Sequence, residues 1–411
     1  MKAKILLLVL SLQVIMTFLY PAFSSAQGIW TKKADLPADT RWLTASFSIG
    51  SKGYFGIGIS EGDATLRDFW EWDQATNIWT KKADYPGNSE YDFVSFSIGT
   101  KGYIGTGSAV TGGGNTNDFW EYDPATNAWT KKASLPVVAA RSWAAGFSIG
   151  GKGYIGTGVT ASDVPLIDFW EWDQANNVWT QKADFGGGFR AAATGFSIGN
   201  KGYIVNGIGV GDTFPNDFWE WDQATNVWTR KADFAGTARA LTEGFSIGNK
   251  GYVGIGLSSN VSTLLKDFWE WNQATNVWSQ KADFGGTARC DGGSFSIGDK
   301  GYFGTGFSAA GTTNDLWEYD PSVVTAIEKL APSNISFYPN PTSGKFTIKN
   351  IEPQTTNSRL EVFNISGEMI YSNADFQPTT NEIDLSTAPR GIYFVNIYNG
   401  EKLYKGKIII H

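Results

Sequence analysis

The pentapeptide Asp-Phe-Trp-Glu-Trp, or a close variant of it, occurs six times along this chain. Its first tryptophan recurs at intervals of 48–50 residues, at Trp70, Trp120, Trp170, Trp219, Trp269 and Trp317. Self-similarity at a period of about 50 residues is typical of an architecture that copies one supersecondary unit. The period therefore constrains the fold more than any other feature. It says little about function, because repeat scaffolds carry many unrelated activities.

Each repeat contains four segments with the pattern of a short strand. In the first repeat they are Phe47–Gly50, Lys52–Gly56, Asp68–Asp73 and Asn77–Thr80. A tight Gly-Ser turn separates the first two, and a turn that begins with Asp and ends with Asn separates the last two. Four short strands in each of six repeats predict an all-β fold, a six-bladed β-propeller.

The two ends of the repeat region predict how the ring closes. Trp30 belongs to a fourth strand that has no blade before it, and no tryptophan follows Asp320 at the expected distance. The N-terminal strand is therefore expected to complete blade six, which removes an open sheet edge.

The repeats resemble kelch motifs over about residues 28–320. The resemblance is carried by the glycine-rich end of the second strand, the aromatic-Asp third strand, the following turn and the fourth-strand tryptophan. The usual double glycine is replaced by Gly-x-Gly, as in Gly56-Ile57-Gly58, and the fourth blade has Val205 at the first of these positions. The resemblance implies a propeller with loops around a central channel.

Residues 1–26 have the pattern of a secretory signal peptide. Lys2 and Lys4 precede the mostly apolar stretch Ile5–Tyr20, and the small residues Ser24, Ser25 and Ala26 offer a cleavage site. An uncleaved membrane anchor is the alternative. No transmembrane segment is expected in the mature chain.

The C-terminal segment has a different composition, without tryptophan and with several short strand patterns. Its motifs are Tyr338–Gly344, Val362–Gly367, Leu385–Tyr393 and Lys405–Ile410. They resemble the C-terminal sorting domain of the Bacteroidetes type IX secretion system. The resemblance implies a small β-sandwich that interacts with the secretion machinery and directs export to the cell surface, commonly with its own removal. An accessory carbohydrate-binding domain is the alternative.

These observations predict four successive segments, of which the propeller is the largest. Residues 1–26 form the signal peptide, 27–320 the six-bladed kelch-type β-propeller, 321–333 a linker and 334–411 the sorting domain. The protein is expected to be secreted or attached to the cell surface outside the outer membrane.

Composition narrows the functional classes. The net charge of −7 argues against nucleic acid, which requires a basic face. Cys290 is the one cysteine and His411 the one histidine, so a disulfide, a cysteine-cluster metal site and histidine catalysis within residues 1–410 are excluded. We expect no metal and no cofactor, and we assign no catalytic residue.

Six residues before each Phe-Ser-Ile-Gly the chain carries a charged residue. Five are arginine and one is glutamate: Arg41, Glu90, Arg141, Arg190, Arg239 and Arg289. Each arginine has two interpretations. It pairs with a repeated carboxylate, such as the Asp of Asp-Phe-Trp, and fastens the blades together. Alternatively, the arginines form a positive funnel for an anionic ligand, because a guanidinium binds carboxylate or phosphate in a bidentate manner.

The residues that break the repeat are the stronger candidates for function. The same loops carry the two tryptophans outside the repeated positions and several carboxylates: Trp42, Trp143, Asp92, Glu243 and Asp291, with Tyr91 and Phe93 beside them. Aromatic rings and a few carboxylates at one mouth of a channel suit sugar recognition. The alternative is solvated loop charge with tryptophans packed under the loops. Together with Glu90 and the five arginines, the first five residues form the predicted ligand-binding face.

Three functions stay open at this point. A binding module for a glycan or a protein is favoured, because no motif demands catalysis. Kelch-type sugar mutarotases and epimerases are the enzymatic alternative, since an acidic sugar needs only carboxylates and arginines around it. A purely structural role in the surface layer is the third.

Overall fold

The computed structural model describes residues 28–109, 114–323, 335–349, 358–365, 368–374, 376, 382–399 and 402–411, apart from the side chains of residues 89, 90, 399, 402 and 403. The predicted signal peptide and residues 324–333 of the predicted linker lie outside this part of the chain. The chain divides into two compact units, residues 1–325 and residues 326–411.

Four-stranded antiparallel blades make up the first unit. The first, innermost strands are Ala45–Ile49, Val94–Ile98, Ala145–Ile149, Thr194–Ile198, Glu243–Ile247 and Gly293–Ile297. The second strands are Lys52–Ser60, Lys101–Gly105, Lys152–Gly156, Lys201–Val205, Lys250–Gly254 and Lys300–Ser308. The third strands are Thr65–Asp73, Phe119–Asp123, Phe169–Asp173, Phe218–Asp222, Phe268–Asn272 and Gly311–Asp320. The fourth strands of blades one to five are Ile78–Lys82, Ala128–Lys131, Val178–Lys182, Val227–Arg230 and Val277–Gln280.

The closing strand, Ile29–Lys32, supplies the fourth strand of blade six, which confirms the predicted closure. It pairs antiparallel with the third strand of that blade, with Trp30 opposite Tyr319. The innermost strands contact one another in ring order, and the first also contacts the sixth. The first unit is therefore a closed six-bladed β-propeller.

Turn chemistry explains why the repeat folds locally as predicted. In the turn between third and fourth strands of blade one, the Asp73 carboxylate accepts a hydrogen bond from the Ala75 amide at 2.8 Å. Asn77 adopts the expected positive φ, 57°. Its side-chain oxygen also accepts from the Ala34 amide at 3.0 Å, so the turn of one blade is bonded to the loop that enters it from the preceding blade.

The hydrophobic core lies between neighbouring blades. One buried cluster joins Phe47, Tyr54 and Phe69 of blade one to Ile104 and Tyr122 of blade two. Close packing here needs glycine at the start of each second strand. A Cβ on Gly102 would lie 2.1 Å from the ring of Phe47, so alanine at this position would displace the ring.

Short strands lie on one face of the propeller, in the loops between blades and in the loops between second and third strands. The two-residue and three-residue strands are Arg41–Trp42, Ser89–Tyr91, Ser108–Ala109, Gly114–Asn115, Arg239–Ala240, Leu257–Ser258 and Arg289–Cys290. Of two single-turn 3₁₀ helices, Val137–Ala139 lies in the loop between blades two and three, and Val210–Asp212 lies in the loop between the second and third strands of blade four. In the described part of the chain, no helix has the length and apolar character needed to cross a bilayer.

Two antiparallel sheets form the second unit. One has the strands Ser336–Tyr338, Lys345–Lys349 and Glu382–Asp384. The other has the strands Ser358–Asn364, Met369–Asn373, Gly391–Asn399 and Lys402–Ile410. Buried side chains of both sheets, such as Phe346 and Val395, share one core. This is the small β-sandwich expected from the C-terminal motifs.

Candidate functional site at the channel mouth

The five arginines of the repeat are structural side chains. Each has at most 1% of its surface exposed. Each forms an ion pair of 2.5–2.8 Å with the aspartate of Asp-Phe-Trp or Asp-Leu-Trp in its own blade: Arg41–Asp68, Arg141–Asp168, Arg190–Asp217, Arg239–Asp267 and Arg289–Asp315. The predicted pairing is therefore present, within a blade rather than between two blades.

The main chain of the same arginines connects the blades. The carbonyl of Arg141 accepts a hydrogen bond of 2.7 Å from the amide of Gly107 in the preceding blade. Arg190, Arg239 and Arg289 accept equivalent bonds of 2.6–3.0 Å. Because the guanidinium groups are buried and paired inside the blades, they do not form a positive funnel, and we leave them out of the proposed site. Arg190 also borders a surface cleft of about 480 Å³, where Asp217 pairs with it.

Blade two departs from this arrangement, as Glu90 in the arginine series indicated. Its Asp118 pairs instead with Lys131, at 2.6 Å. The indole nitrogen of Trp120 is buried without a hydrogen-bond partner in the described part of the chain, whereas Trp70 donates to Asp68 at 2.6 Å. The Glu90 side chain lies outside the described residues, so its place in the predicted ligand face stays a prediction.

The six residues that lie two positions after the members of the arginine series form a ring around the channel mouth. All six residues of this ring adopt a left-handed backbone, with φ of 52–59°: Leu43, Asp92, Trp143, Ala192, Leu241 and Asp291. Five main-chain hydrogen bonds of 2.7–3.3 Å connect them, each from an amide to the carbonyl of the corresponding residue one blade back. The backbone of the mouth is thus fixed by the repeat, while the side chain at this position varies, being Leu in two blades, Asp in two, and Trp and Ala in one each.

Two aspartates of this ring are buried carboxyl groups that lack a full set of partners. Asp92 is 8% exposed and Asp291 is 7% exposed. One oxygen of each, Oδ1 of Asp92 and Oδ2 of Asp291, has no hydrogen-bond partner in the described part of the chain. Native proteins rarely leave such a group unsatisfied, so each is a candidate contact for a ligand or a bound water.

The third carboxyl group, Glu243, begins the innermost strand of blade five. Ser294 of blade six donates a hydrogen bond of 2.8 Å to its Oε2. The other blades have Ala, Val, Thr or Gly at this position. Glu243 is therefore a specific addition to the channel wall rather than part of the repeat.

Burial alters the protonation of all three groups. Burial, together with the negative charge of Asp291, raises the pKa of Asp92 to about 8. Burial raises the pKa of Glu243 to about 8 and that of Asp291 to about 7. At neutral pH the group therefore holds protons, and its carboxyls both donate and accept hydrogen bonds.

The channel mouth encloses a cavity of about 130 Å³ that is lined by Asp92, Trp143, Glu243 and Asp291 together with small and apolar residues. A second cavity of about 180 Å³ lies against it, and the two share Thr44, Phe93, Ala144, Ala193, Thr242 and Glu243 as lining residues. Among the described residues, neither has a lysine, arginine or histidine in its lining. The described part of the chain contains no cluster of three or more His, Cys, Asp or Glu side chains suited to a metal ion.

The two tryptophans outside the repeat lie in different places. Trp143 lines the channel mouth. Trp42 lies in a short strand opposite Ile59, and its ring packs on Phe307 at a centroid distance of 5.4 Å. Of the predicted ligand-binding residues, the structure brings together Asp92, Trp143, Glu243 and Asp291. Sequence reasoning missed Thr44 and Thr242 as lining residues, because they carry no charge and no distinctive motif.

The raised pKa values predict that the propeller loses stability as pH rises. A carboxyl whose pKa is higher in the folded state binds protons more tightly there, so its contribution is complete below a pH of about 4 and is lost as pH rises to about 8. For Asp291, a rise from 3.8 to about 7 corresponds to about 4 kcal/mol at most. We expect the free energy of unfolding, measured in urea between pH 5 and pH 8.5, to fall with pH. In the variant Asp92→Asn/Asp291→Asn the slope should be markedly smaller, and an equal slope in both proteins would show that these carboxyls titrate normally.

Comparisons with known proteins address the fold and the export of the chain. Residues 336–411 match the family described as a secretion system C-terminal sorting domain. A search of curated proteins found no match. Among solved structures, the chain is similar to that of YjhT, with a TM-score of 0.59 and 17% sequence identity. This likeness covers 69% of the present chain and 95% of YjhT, and at this identity it shows the fold alone.

The C-terminal match fixes the destination of the protein. The β-sandwich of residues 336–411 has the family match that its sequence motifs predicted. Such a domain addresses its protein to the type IX secretion machinery, so the location is extracellular or at the cell surface. The chain is an exported β-propeller protein that carries a C-terminal sorting domain of the type IX secretion system.

Proposed function

We propose that the protein is a binding module that takes a neutral sugar unit into the mouth of its propeller channel. The observation that carries the proposal is the pair Asp92 and Asp291, whose buried carboxyls each have an oxygen at this mouth without a hydrogen-bond partner among the described residues. Hydroxyl groups of a sugar supply both donors and acceptors, which suits carboxyls that are partly protonated at neutral pH. Trp143 supplies an aromatic surface beside them.

The charge of the site favours a neutral ligand over an acidic one. An anion in the mouth would meet three carboxyl groups and no basic side chain in the lining. The predicted alternative, an enzyme for an acidic sugar, relied on arginines that are instead paired inside the blades. A cavity of about 130 Å³ is also small beside the ligand pockets of most proteins. It suits one sugar unit held at its edge, or a single side chain of a protein partner.

A second candidate function is catalysis on the same neutral ligand, and one observation supports it. The pKa values of about 8 for Asp92 and about 7 for Asp291 lie near the operating pH, as general acids and bases require. Interconversion of sugar anomers needs one group that removes a proton from the anomeric hydroxyl and one that protonates the ring oxygen. Exchange between anomers, followed by NMR on the purified propeller, separates this mutarotase from a binding module without activity.

Replacement of the two aspartates tests the site. Alanine fits the left-handed backbone, because blade four has Ala192 with φ of 52° at the corresponding position. We expect Asp92→Ala and Asp291→Ala each to weaken sugar binding about tenfold or more, since a hydrogen bond to a charged or partly charged group contributes about 1.5–3 kcal/mol. Binding is measured by calorimetry, after a glycan array has identified the sugar.

The matched control is Asp63→Ala. Asp63 also has a left-handed backbone, with φ of 58°, but it is exposed in a loop of blade one. Its replacement should leave binding unchanged. Full affinity in both Asp92→Ala and Asp291→Ala would remove the channel mouth as the binding site.

A further inference from the structure

A third cavity opens directly beside the channel mouth, on the same face and between blades two and three. Its volume is about 320 Å³. Its walls carry hydroxyl, amide and carboxyl groups from both blades: Tyr91, Ser108, Asn115, Ser142, Thr160 and Asp163. We call this cavity the outer cleft.

The walls of the outer cleft are held by hydrogen bonds across the two blades. The short strand Ser108–Ala109 pairs with Ser89–Tyr91 on one side and with Gly114–Asn115 on the other. The Asn115 side chain donates a hydrogen bond of 2.7 Å to the carbonyl of Val159 in blade three. Val159 in turn forms β-bridges with Ser142 and Pro165. The cleft is therefore built by both blades rather than by one loop.

Asp92 and Trp143 belong to the outer cleft and to the channel mouth at the same time. The amide of Trp143 donates to the carbonyl of Asp92 at 3.2 Å, so the two residues are fixed to one another. On the cleft side, the Ser108 hydroxyl lies 3.5 Å from Oδ2 of Asp92. A ligand that fills the mouth and extends outward passes over these two residues into the cleft.

The chemistry of the outer cleft continues that of the mouth. Its lining offers hydroxyl and amide groups, the carboxyls of Asp92 and Asp163, and the aromatic rings of Tyr91 and Trp143, and its described residues include no lysine, arginine or histidine. Rings flanked by hydroxyl, amide and carboxyl groups suit the faces and hydroxyls of a sugar, whereas an anionic chain would meet two carboxyl groups and no cation in this lining.

We infer that the ligand is a linear neutral oligosaccharide whose terminal unit occupies the channel mouth and whose following unit lies in the outer cleft across Asp92 and Trp143. The inference rests on the proposed sugar binding at the mouth and adds the length and direction of the ligand. A chain of this kind is recognised at its end, because the channel mouth accepts one unit and the cleft leads away from it.

The experiment compares free sugars with their linear tetramers. Glucose, galactose, mannose and N-acetylglucosamine are each titrated into the purified protein, alone and as the tetramer, with calorimetry as the readout. For the sugar that binds, we expect the tetramer to bind at least tenfold more tightly than the free sugar. The variant Ala161→Trp, which fills the cleft from an exposed position in its wall, should remove this gain and leave the affinity for the free sugar unchanged.

The control variant is Ala309→Trp. Ala309 is exposed in the corresponding loop of blade six and lines neither the mouth nor the outer cleft, so neither affinity should change. Equal affinities for free sugar and tetramer, or an unchanged gain in Ala161→Trp, overturn the role of the cleft while the proposed binding at the mouth stands. Binding by no sugar of the panel overturns the proposed function, and the inference with it.

Discussion

Replacing Arg239 by alanine is expected to lower the free energy of unfolding of the propeller by about 3 kcal/mol. The guanidinium of Arg239 donates hydrogen bonds of 2.7 Å and 2.6 Å to the two oxygens of Asp267. It also donates to the carbonyls of Thr237 and Ile255. Removing it leaves a carboxylate without its cation at the start of a third strand. The expected loss is at the low end of the range for broken buried ion pairs, because the Asp267 side chain is 22% exposed.

The loss in Arg239→Ala should depend on pH, because Asp267 can take up a proton once its cation is gone. Burial alone would raise the pKa of this carboxyl, but the hydrogen bonds and charge of Arg239 hold it below its ordinary value. Without the arginine the pKa should rise, so the variant should lose less stability at acidic pH than at pH 8. Urea unfolding at the two pH values measures both effects on one protein.

Arg230→Ala is the matched control within the same propeller. Arg230 pairs with Asp233 at 2.8 Å, yet both side chains are more than half exposed. Surface pairs of this kind contribute about 0–1 kcal/mol, so this variant should unfold close to the parent protein. Arg239→Met separates lost charge from lost packing, because Arg239 also lies over the ring of Phe234 at 5.1 Å. If Arg239→Ala unfolded like Arg230→Ala, the buried ion pair would not stabilise its blade, and a role of the arginines in ligand binding would regain support.

Much of the propeller was predictable because its contacts repeat. The left-handed Asn77, the fourth-strand tryptophans and the pairing of Arg41 with Asp68 each recur in most blades, so the sequence displays the same constraint many times. The recurrence of the sequence Lys-Ala-Asp also has a structural reason. Its alanine carbonyl accepts a hydrogen bond from the next blade's tryptophan, as Ala34 does from Trp79 at 2.8 Å.

The candidate site was less predictable because its side chains do not recur in most blades. Asp92 and Asp291 are far apart in the chain and share a channel mouth only after the ring has closed. The sequence also could not choose between a clamp and a funnel for the arginines, since that choice depends on where the guanidinium points. The sequence did contain one signal that distinguishes Trp143 from Trp42. Trp143 is two positions after its arginine and Trp42 only one, and this offset decides that Trp143 alone of the two joins the left-handed ring.

Deleting residues 28–32 is expected to have the largest effect on the fold. These residues include the closing strand, which pairs with Trp317–Asp320 in blade six. Trp30 contacts the rings of Phe268, Phe284 and Tyr319 at centroid distances of 5.0–5.1 Å. Loss of a tryptophan from such a cluster costs about 3–5 kcal/mol, a large fraction of the 5–15 kcal/mol that stabilises an ordinary domain. The open edge of blade six should also associate with other copies.

Two single-residue variants separate the effect of ring closure from the effect of losing one aromatic side chain. Trp179→Ala removes the corresponding tryptophan of blade three, whose ring meets Phe119 at 5.1 Å and whose indole donates to Ala133 at 2.7 Å. It should lower the melting temperature about as much as Trp30→Ala and leave the protein monomeric, because the strand itself is retained. The deletion should melt lower than both and elute as oligomers in size-exclusion chromatography. A synthetic peptide of residues 27–34 should restore the monomer by pairing with the open edge. A deletion variant that stays monomeric with an unchanged melting temperature would show that the ring does not depend on this strand.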